Sequence, residues 1–360
     1  MDLFIFNGIN DNPVIKALLE FKENRNKDAY YRAARGLIEY SSKRITDKNL
    51  IREYTLRAIL EQDNLPDIVN LRDFLRRDVK TIFNVFFETN WDYLFTSSGF
   101  LPLCCIQTKK TVSCLNSYAL SIESMIDCAS NEALGGAILA HTESFGTGKT
   151  SAYAMLNWDG SNLIGIENID NVAFEDLLGI EKQKYSLILN TENFICSRPA
   201  SHMILSGCSG MGKTSSIKAC LNFFKDSGLR IIEVKPSQVD ELPKIFNRVR
   251  ESLLKYIIFI DGISNDSCAR SKIDGCMGGK PENVLVYAIA ENPIEDFGIN
   301  LEYDSLTDRE YIEIIEKLME KENLSLDDEL LSKALAEKQG NKQLSVRFAK
   351  QFVTGILSAV

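Results

Sequence analysis

"ILSGCSGMGKTSS", residues 204–216, sets a short apolar run against a glycine-rich loop ending in Gly-Lys-Thr. Gly207, Gly212, Lys213 and Thr214 stand at the G-x-x-x-x-G-K-[ST] spacing. That spacing has a mechanical meaning. The first glycine permits a tight turn and the loop amides point inward at phosphates. The lysine reaches the terminal phosphates, and the hydroxyl binds magnesium at a helix N-terminus. Met203, Ile204 and Leu205 supply a buried strand before the loop. Ile217, Cys220, Leu221 and Phe224 supply the apolar side of a helix after it, and Gly228 a C-cap. The expected ATP contacts are therefore Gly207, Ser209, Gly210, Met211, Gly212, Lys213, Thr214 and Ser215.

A second Gly-Lys-Thr occurs in "HTESFGTGKTSAY", residues 141–153. Its leading position is Glu143, which would set a carboxylate where phosphates should lie. The run that follows ends in an Asp159-Gly160 turn and leaves no room for a full helix. Lys149 reads as an exposed lysine beside a strand.

A phosphate loop needs an acid that holds magnesium through water, at the end of a neighbouring apolar strand. "YIIFIDG", residues 256–262, is such a strand, and Asp261 is the acid. Thr214 and Asp261 are thus the expected Mg2+ ligands.

Around these motifs the pattern is one of alternation. "HMILSG", "LRIIEVKP", "YIIFIDG" and "ENVLVYAIA" are short apolar runs. "TSSIKACLNFFKDSG" and "VDELPKIFNRVRESLL" between them have helical spacing. This is the rhythm of a parallel sheet with crossover helices, an α/β fold. Thr307 and Glu310 form a capping-box pattern ahead of a helix, and further helices are expected near 327–338 and 342–357.

The N-terminal part differs. Residues 13–95 read as helical. Leu75, Val79, Ile82 and Phe86 fall on one stripe, with Arg76, Arg77 and Lys80 off it. Leu50, Tyr54, Ala58 and Leu60 are candidates for the buried side of another helix, and a short loop is expected near Asn64 and Pro66. "SGFLPLCCI" and "SAYAMLNWDG" suggest short strands. Four regions result: a helical bundle over 1–95, an irregular connection over 96–165, an ATP-binding core over 166–306 and a helical lid over 307–360.

Composition narrows the function. The chain has 360 residues, enough for two domains, with 45% hydrophobic and 25% charged residues, which are globular values. A net charge of −9 argues against general nucleic-acid binding but leaves room for a local basic face. The nine cysteines show no C-x-x-C pair and only His141 and His202 could add imidazole, so a structural zinc site is not expected. Free thiols, no basic segment at the N-terminus and no apolar run near the ~20 residues a spanning helix needs suggest a soluble cytoplasmic protein without a membrane partner.

At this point the residues resemble a known family. "GTGKTSAYAMLNWDG", "FEDLLGIEKQKYSLILNTENF", "GCSGMGKTSSIKACLNFF", "GLRIIEVKPSQVDELPKIFNRVR", "YIIFIDGIS", "ENVLVYAIAEN" and "RFAKQF" look like the bacterial AAA-type ATP-binding proteins catalogued as domain of unknown function 815. The resemblance runs from about 146 to the end. It implies an AAA-type core of five parallel strands with a small helical lid, ATP and Mg2+ as ligands, and a helical N-terminal region. It implies that Leu177, Leu178 and Gly179 lie near the adenine and that Arg347 of the lid reaches the γ-phosphate.

The chain departs from that pattern at three places. The family carries a second acid after the magnesium aspartate, where this chain has Gly262. A polar sensor usually ends the strand "NVLVYAIA", where Glu291 stands, with Asn292 next. An arginine usually precedes the Phe-Gly, where Asp296 stands. The binding parts remain and three hydrolytic parts are altered. The expectation is an ATP-dependent switch or scaffold for a protein partner, with weak or absent hydrolysis. The rival is an active AAA-type ATPase that remodels a protein or nucleic-acid partner, in which Asp266 or Glu291 substitutes for the missing acid.

Overall fold

The structure is a computed structural model and describes residues 1–42, 46, 48–62, 65, 70–104, 116–263, 273, 275–295, 297–322, 324, 330, 332, 334 and 344–358. The chain divides into two compact units, Met1–Ala154 and Met155–Val360.

The first unit is helical among its described residues. It contains α1 (Pro13–Asn24), α2 (Lys27–Ser41), α3 (Leu50–Leu60), α4 (Arg72–Ile82), α5 (Trp91–Ser97), α6 (Asn116–Ile126) and α7 (Asn131–Phe145). Asparagine side chains start four of them: Asn12 caps α1, Asn26 caps α2, Asn49 caps α3 and Asn90 caps α5 by accepting backbone N–H bonds. Along α4 and the π-helical turn Phe83–Phe87 that follows it, the expected stripe is buried, and Arg76, Arg77 and Lys80 are exposed.

On α3 the expected face is only half right. Leu50 and Leu60 are buried, but Tyr54 and Ala58 are half-buried, and Ile51, Glu53, Thr55, Leu56 and Ile59 fill the core side. Hydrophobicity alone missed Glu53 because its carboxylate is satisfied by residues outside its own helix: the Tyr40 hydroxyl on α2 donates to it at 3.0 Å and the Thr46 hydroxyl at 2.5 Å. Asp78 is likewise fully buried and accepts the backbone N–H groups of Phe4, Ile5 and Phe6. Residues 98–104, expected to begin a strand, form none, and Cys105 and Ile106 lie outside the described residues, as do Asn64 and Pro66.

The second unit is built on one sheet. Its strands are β1 (Met155–Trp158), β2 (Leu163–Gly165), β3 (Met203–Gly207), β4 (Leu229–Val234), β5 (Lys255–Ile263), β6 (Val284–Ala290) and β7 (Ile299–Tyr303), in the spatial order β2-β1-β4-β5-β6-β3-β7. The sheet has seven strands rather than the five expected. β3, β4, β5 and β6 are the four apolar runs expected to pair in parallel, and β7, which the sequence pattern did not locate, makes a fifth parallel strand against β3. To these β1 adds a further parallel strand against β4, and β2 pairs antiparallel with β1. Residues 155–165, read from sequence as part of an irregular connection, thus belong to the sheet. The Asp159 carboxylate closes their hairpin by accepting Ser161 and Asn162 N–H, with Gly160 at φ 102°.

Helices α8 (Glu181–Ile195), α9 (Lys213–Phe224) and α10 (Leu242–Val249) connect strands. Every residue of β6 is buried, as expected for a strand covered on both faces. A polar network joins α8 and α9 to it: the Tyr287 hydroxyl lies 2.9 Å from both Asn190 Nδ2 and Thr191 Oγ1, and Cys220 Sγ donates to Thr191. Just ahead of β3, His202 Nδ1 accepts Val286 N–H at 3.0 Å and the His202 carbonyl accepts Ile299 N–H at 2.9 Å.

The chain continues into α11 (Asp308–Lys321) and α12 (Val346–Leu357). The Thr307–Glu310 capping box forms, and Tyr311 stacks on Phe348 at 5.8 Å. The helix expected near 327–338 falls largely outside the described residues. Among the described residues no helix is long and apolar enough to cross a membrane.

Candidate nucleotide-binding site

Because β3, β5 and β6 run parallel, their carboxyl ends share one edge, where open α/β sheets bind ligands. Gly207, Asp261 and Glu291 meet there. The loop is pinned on both sides: Gly207 N–H donates to Glu291 O at 3.1 Å and Cys208 N–H to Tyr303 O at 2.8 Å. Gly207 has φ 105°, and a Cβ on it would lie 2.4 Å from Tyr303 O, so only glycine fits. Gly210 and Gly212 also have positive φ, at 82° and 93°, which turns the loop into α9. The first N–H groups of that helix have no intrahelical partner and carry the positive end of its dipole.

Lys213 opens α9 and folds back across the loop, its ammonium donating to Gly207 O at 2.6 Å and Cys208 O at 2.7 Å. Burial lowers its pKa, and facing Cys208, Asp261 and Glu291 counters part of that. The Thr214 hydroxyl donates to Asp261 Oδ2 at 3.2 Å. A hydroxyl and a carboxylate at this spacing are hard oxygen donors of the kind Mg2+ selects.

These groups line a cleft of about 1370 Å³. It takes in the loop residues Gly207, Ser209, Gly210, Met211, Gly212, Lys213, Thr214 and Ser215, together with Leu177, Leu178, Asp261 and Arg347. Gly179 stands apart. It does not line the cleft; its backbone turns at φ 73°, and a Cβ there would meet Ile314 and Leu306 at 3.1 and 3.3 Å. Its place in the fold is a close approach to the segment that carries Leu306 and Ile314.

The sequence pattern did not single out Lys350, Gln351 and Thr354, which line the cleft with Arg347. The signal was present, since they follow Arg347 at i+3, i+4 and i+7 on one helix face. Gly210 O accepts Arg347 N–H at 3.0 Å, so the start of α12 is tied directly to the loop.

Gly262 is exposed at φ 85°, the extra residue of a register shift in which Asp261 pairs with Ile289 and Ile263 with Ala290. A Cβ there would meet nothing within 4 Å. Glu291 and Asn292 line the cleft as exposed residues, whereas Asp266 and Asp296 lie outside the described residues.

The Gly-Lys-Thr at 148–150 has none of this framework. Glu143 lies inside α7, which ends at Phe145 with Gly146 beyond it at φ 74°, so a helix and not a strand precedes the motif. Lys149 is exposed on the turn that follows.

Several solved structures are similar to about half of the chain. The Holliday junction branch migration motor RuvB of Thermotoga maritima is 18% identical over 50% of this chain and 62% of its own, with a TM-score of 0.35. AMPPCP-bound DnaA from Aquifex aeolicus is 17% identical over 51% and 64%, at 0.39. The Orc1 protein of Aeropyrum pernix in complex with DNA is 14% identical over 51% and 61%, at 0.41. The chain spans less than two thirds of each. No functionally curated protein matches it in sequence. One family matches residues 149–292 and 294–360, a span that contains the whole cleft. With more than half of its length so covered, the chain belongs to the family described as "Protein of unknown function (DUF815)".

Proposed function

We propose that the second unit binds Mg-ATP and hydrolyses it slowly or not at all, so that the nucleotide acts as a switch or scaffold element for a protein partner. The observation that carries this reading is a contrast at one strand end. Asp261 and Thr214 stand together where magnesium would be held, while the next residue is a side-chain-free bulge.

Binding and turnover ask different things of the protein. The loop N–H groups, Lys213 and the start of α9 accommodate the phosphates. Thr214 and Asp261 would hold the metal, which when bound neutralises phosphate charge. Arg347 and Lys350 add positive charge from α12. Turnover also needs a group that positions the attacking water, worth ~10²–10⁴ in rate. Gly262 offers no side chain for that role.

One observation favours a second reading, an active ATPase. Glu291 lines the cleft and its charge acts on Lys213. A carboxylate there could accept a proton from water in place of the missing acid. Loss of turnover in Glu291→Gln with ATP affinity retained would favour it.

The test of the leading reading is equilibrium binding of ATP with magnesium and with a chelator in its place, with steady-state turnover followed on the same preparation. Magnesium-dependent binding with turnover far below an ordinary enzyme rate supports it. Absence of binding overturns it.

A further inference from the structure

Segment 170–174 runs beside α9 and leads directly into the residues that form the apolar end of the cleft. Its attachment to the helix is specific. Asn222 Nδ2 donates to two backbone carbonyls, Asp170 O and Val172 O, each at 3.0 Å. One turn earlier, Lys218 Nζ donates to Asp170 Oδ2 at 2.6 Å. Phe174 is buried and packs edge-on against Phe223 at 5.9 Å. The Asp176 carboxylate then accepts Ala173 N–H at 3.1 Å, which fixes the turn into Leu177 and Leu178.

Asn222 therefore holds loop backbone to a helix whose other end carries Lys213 and Thr214. Its amide suits this attachment, because one –NH2 group has two donors and here they reach two carbonyls two residues apart. The strap has no regular secondary structure between residues 167 and 173, so these bonds take the place of a ladder.

We infer that Asn222 is a positioning residue for the nucleobase: by tying segment 170–174 to α9, it sets Leu177 and Leu178 at the distance from the phosphate loop that a nucleoside triphosphate requires. The inference rests on the Mg-ATP reading of the cleft. Asn222 itself lies outside the cleft lining. Lys218 supports the same tie through an ion pair whose aspartate is largely exposed, so its share is smaller.

The chemistry predicts a split by ligand part. The phosphate loop is complete without the strap, whereas the base end is not. Calorimetric titration of the full chain with Mg-ATP and with magnesium tripolyphosphate, which has no base, separates the two. Asn222→Asp keeps the side chain's shape but turns both donors into acceptors facing carbonyls. It should weaken Mg-ATP binding about five- to tenfold, the worth of one or two lost hydrogen bonds. Tripolyphosphate affinity should stay within about twofold of wild type. Lys218→Met should show the same split at smaller size and guards against a folding defect in the first variant. Equal losses for both ligands, or no loss for either, in both variants would overturn the positioning role while leaving the nucleotide reading intact. A wild type that binds neither ligand would overturn that reading and this inference with it.

Discussion

The backbone N–H of Gly207 donates to the carbonyl of Glu291 at 3.1 Å, joining the start of the phosphate loop to the end of β6. The loop is thereby fixed to the same strand end that offers the Glu291 carboxylate to the cleft. The groups that binding and turnover would each require therefore share this edge.

Nucleotide binding should depend on Lys213 and not on Lys149. Lys213 crosses the loop to Gly207 O and Cys208 O, while Lys149 sits on an exposed turn after α7. Ligand at a hundredfold excess over Kd stabilises a fold by ~2.7 kcal/mol. Wild type and Lys149→Ala should both show the corresponding rise in Tm with Mg-ATP, and Lys213→Ala should lose it. The reverse pattern would mean that the cleft has been assigned to the wrong motif.

Cys208 should be shielded by nucleotide. It is half-buried, lines the cleft, and gives its carbonyl to Lys213. Alkylation should be slower with Mg-ATP present, and prior alkylation should weaken binding. The exposed Cys196 is an internal reference whose labelling should not change. Equal labelling of Cys208 with and without ATP would count against the loop geometry.

How much of the fold and cleft is legible in the sequence follows the range of the interactions. The loop, its flanking strand and helix, and Asp261 are local patterns, and each lies where its spacing put it. Arg347 is expected only through the family resemblance, and its neighbours Lys350, Gln351 and Thr354 depend on which face α12 turns to the cleft, a tertiary fact. β1 can be read as a strand from "SAYAMLNWDG", but its parallel partner β4 begins only at Leu229, beyond α8, β3 and α9, and nothing local announces that pairing. The left-handed bulge at Gly262 comes from a shift in register between β5 and β6, so the sequence shows a missing acid and not a changed backbone. Buried Glu53 and Asp78 escape because their partners come from other elements.

Stability should fall on mild acidification through His202. Burial pushes its pKa from 6.5 down to about 4, and nearby Lys280 adds to the effect. The neutral ring is the form that accepts Val286 N–H. Because the folded pKa is the lower one, the unfolded chain binds the proton more readily. The contribution is complete above about pH 6.5 and is lost as the pH falls towards 4, amounting to about 3 kcal/mol at most. Denaturant unfolding from pH 7 to 4.5 should show a shallower decline for His202→Asn than for wild type. Parallel declines would show that His202 does not set the acid sensitivity.

An acid at position 262 should restore some hydrolysis. The space around a Cβ there is open, but the φ of 85° disfavours most L-residues. Aspartate tolerates that region better than glutamate, so Gly262→Asp is the variant of choice. Its single-turnover rate should rise roughly tenfold, the low end of general-base effects, with ATP affinity nearly unchanged. An unchanged rate in a variant that still binds ATP would show that Gly262 does not limit turnover.

The measurement that bears most directly on the central claim is single-turnover hydrolysis of Mg-ATP by saturating wild-type protein, after binding has been established by titration. The Asp261–Thr214 pair with a bare Gly262 bulge beside it predicts tight association followed by conversion far slower than about 1 s⁻¹, the low end of typical enzyme turnover. Bound ATP converted at that rate or faster would contradict the claim that this cleft holds nucleotide without efficiently cleaving it.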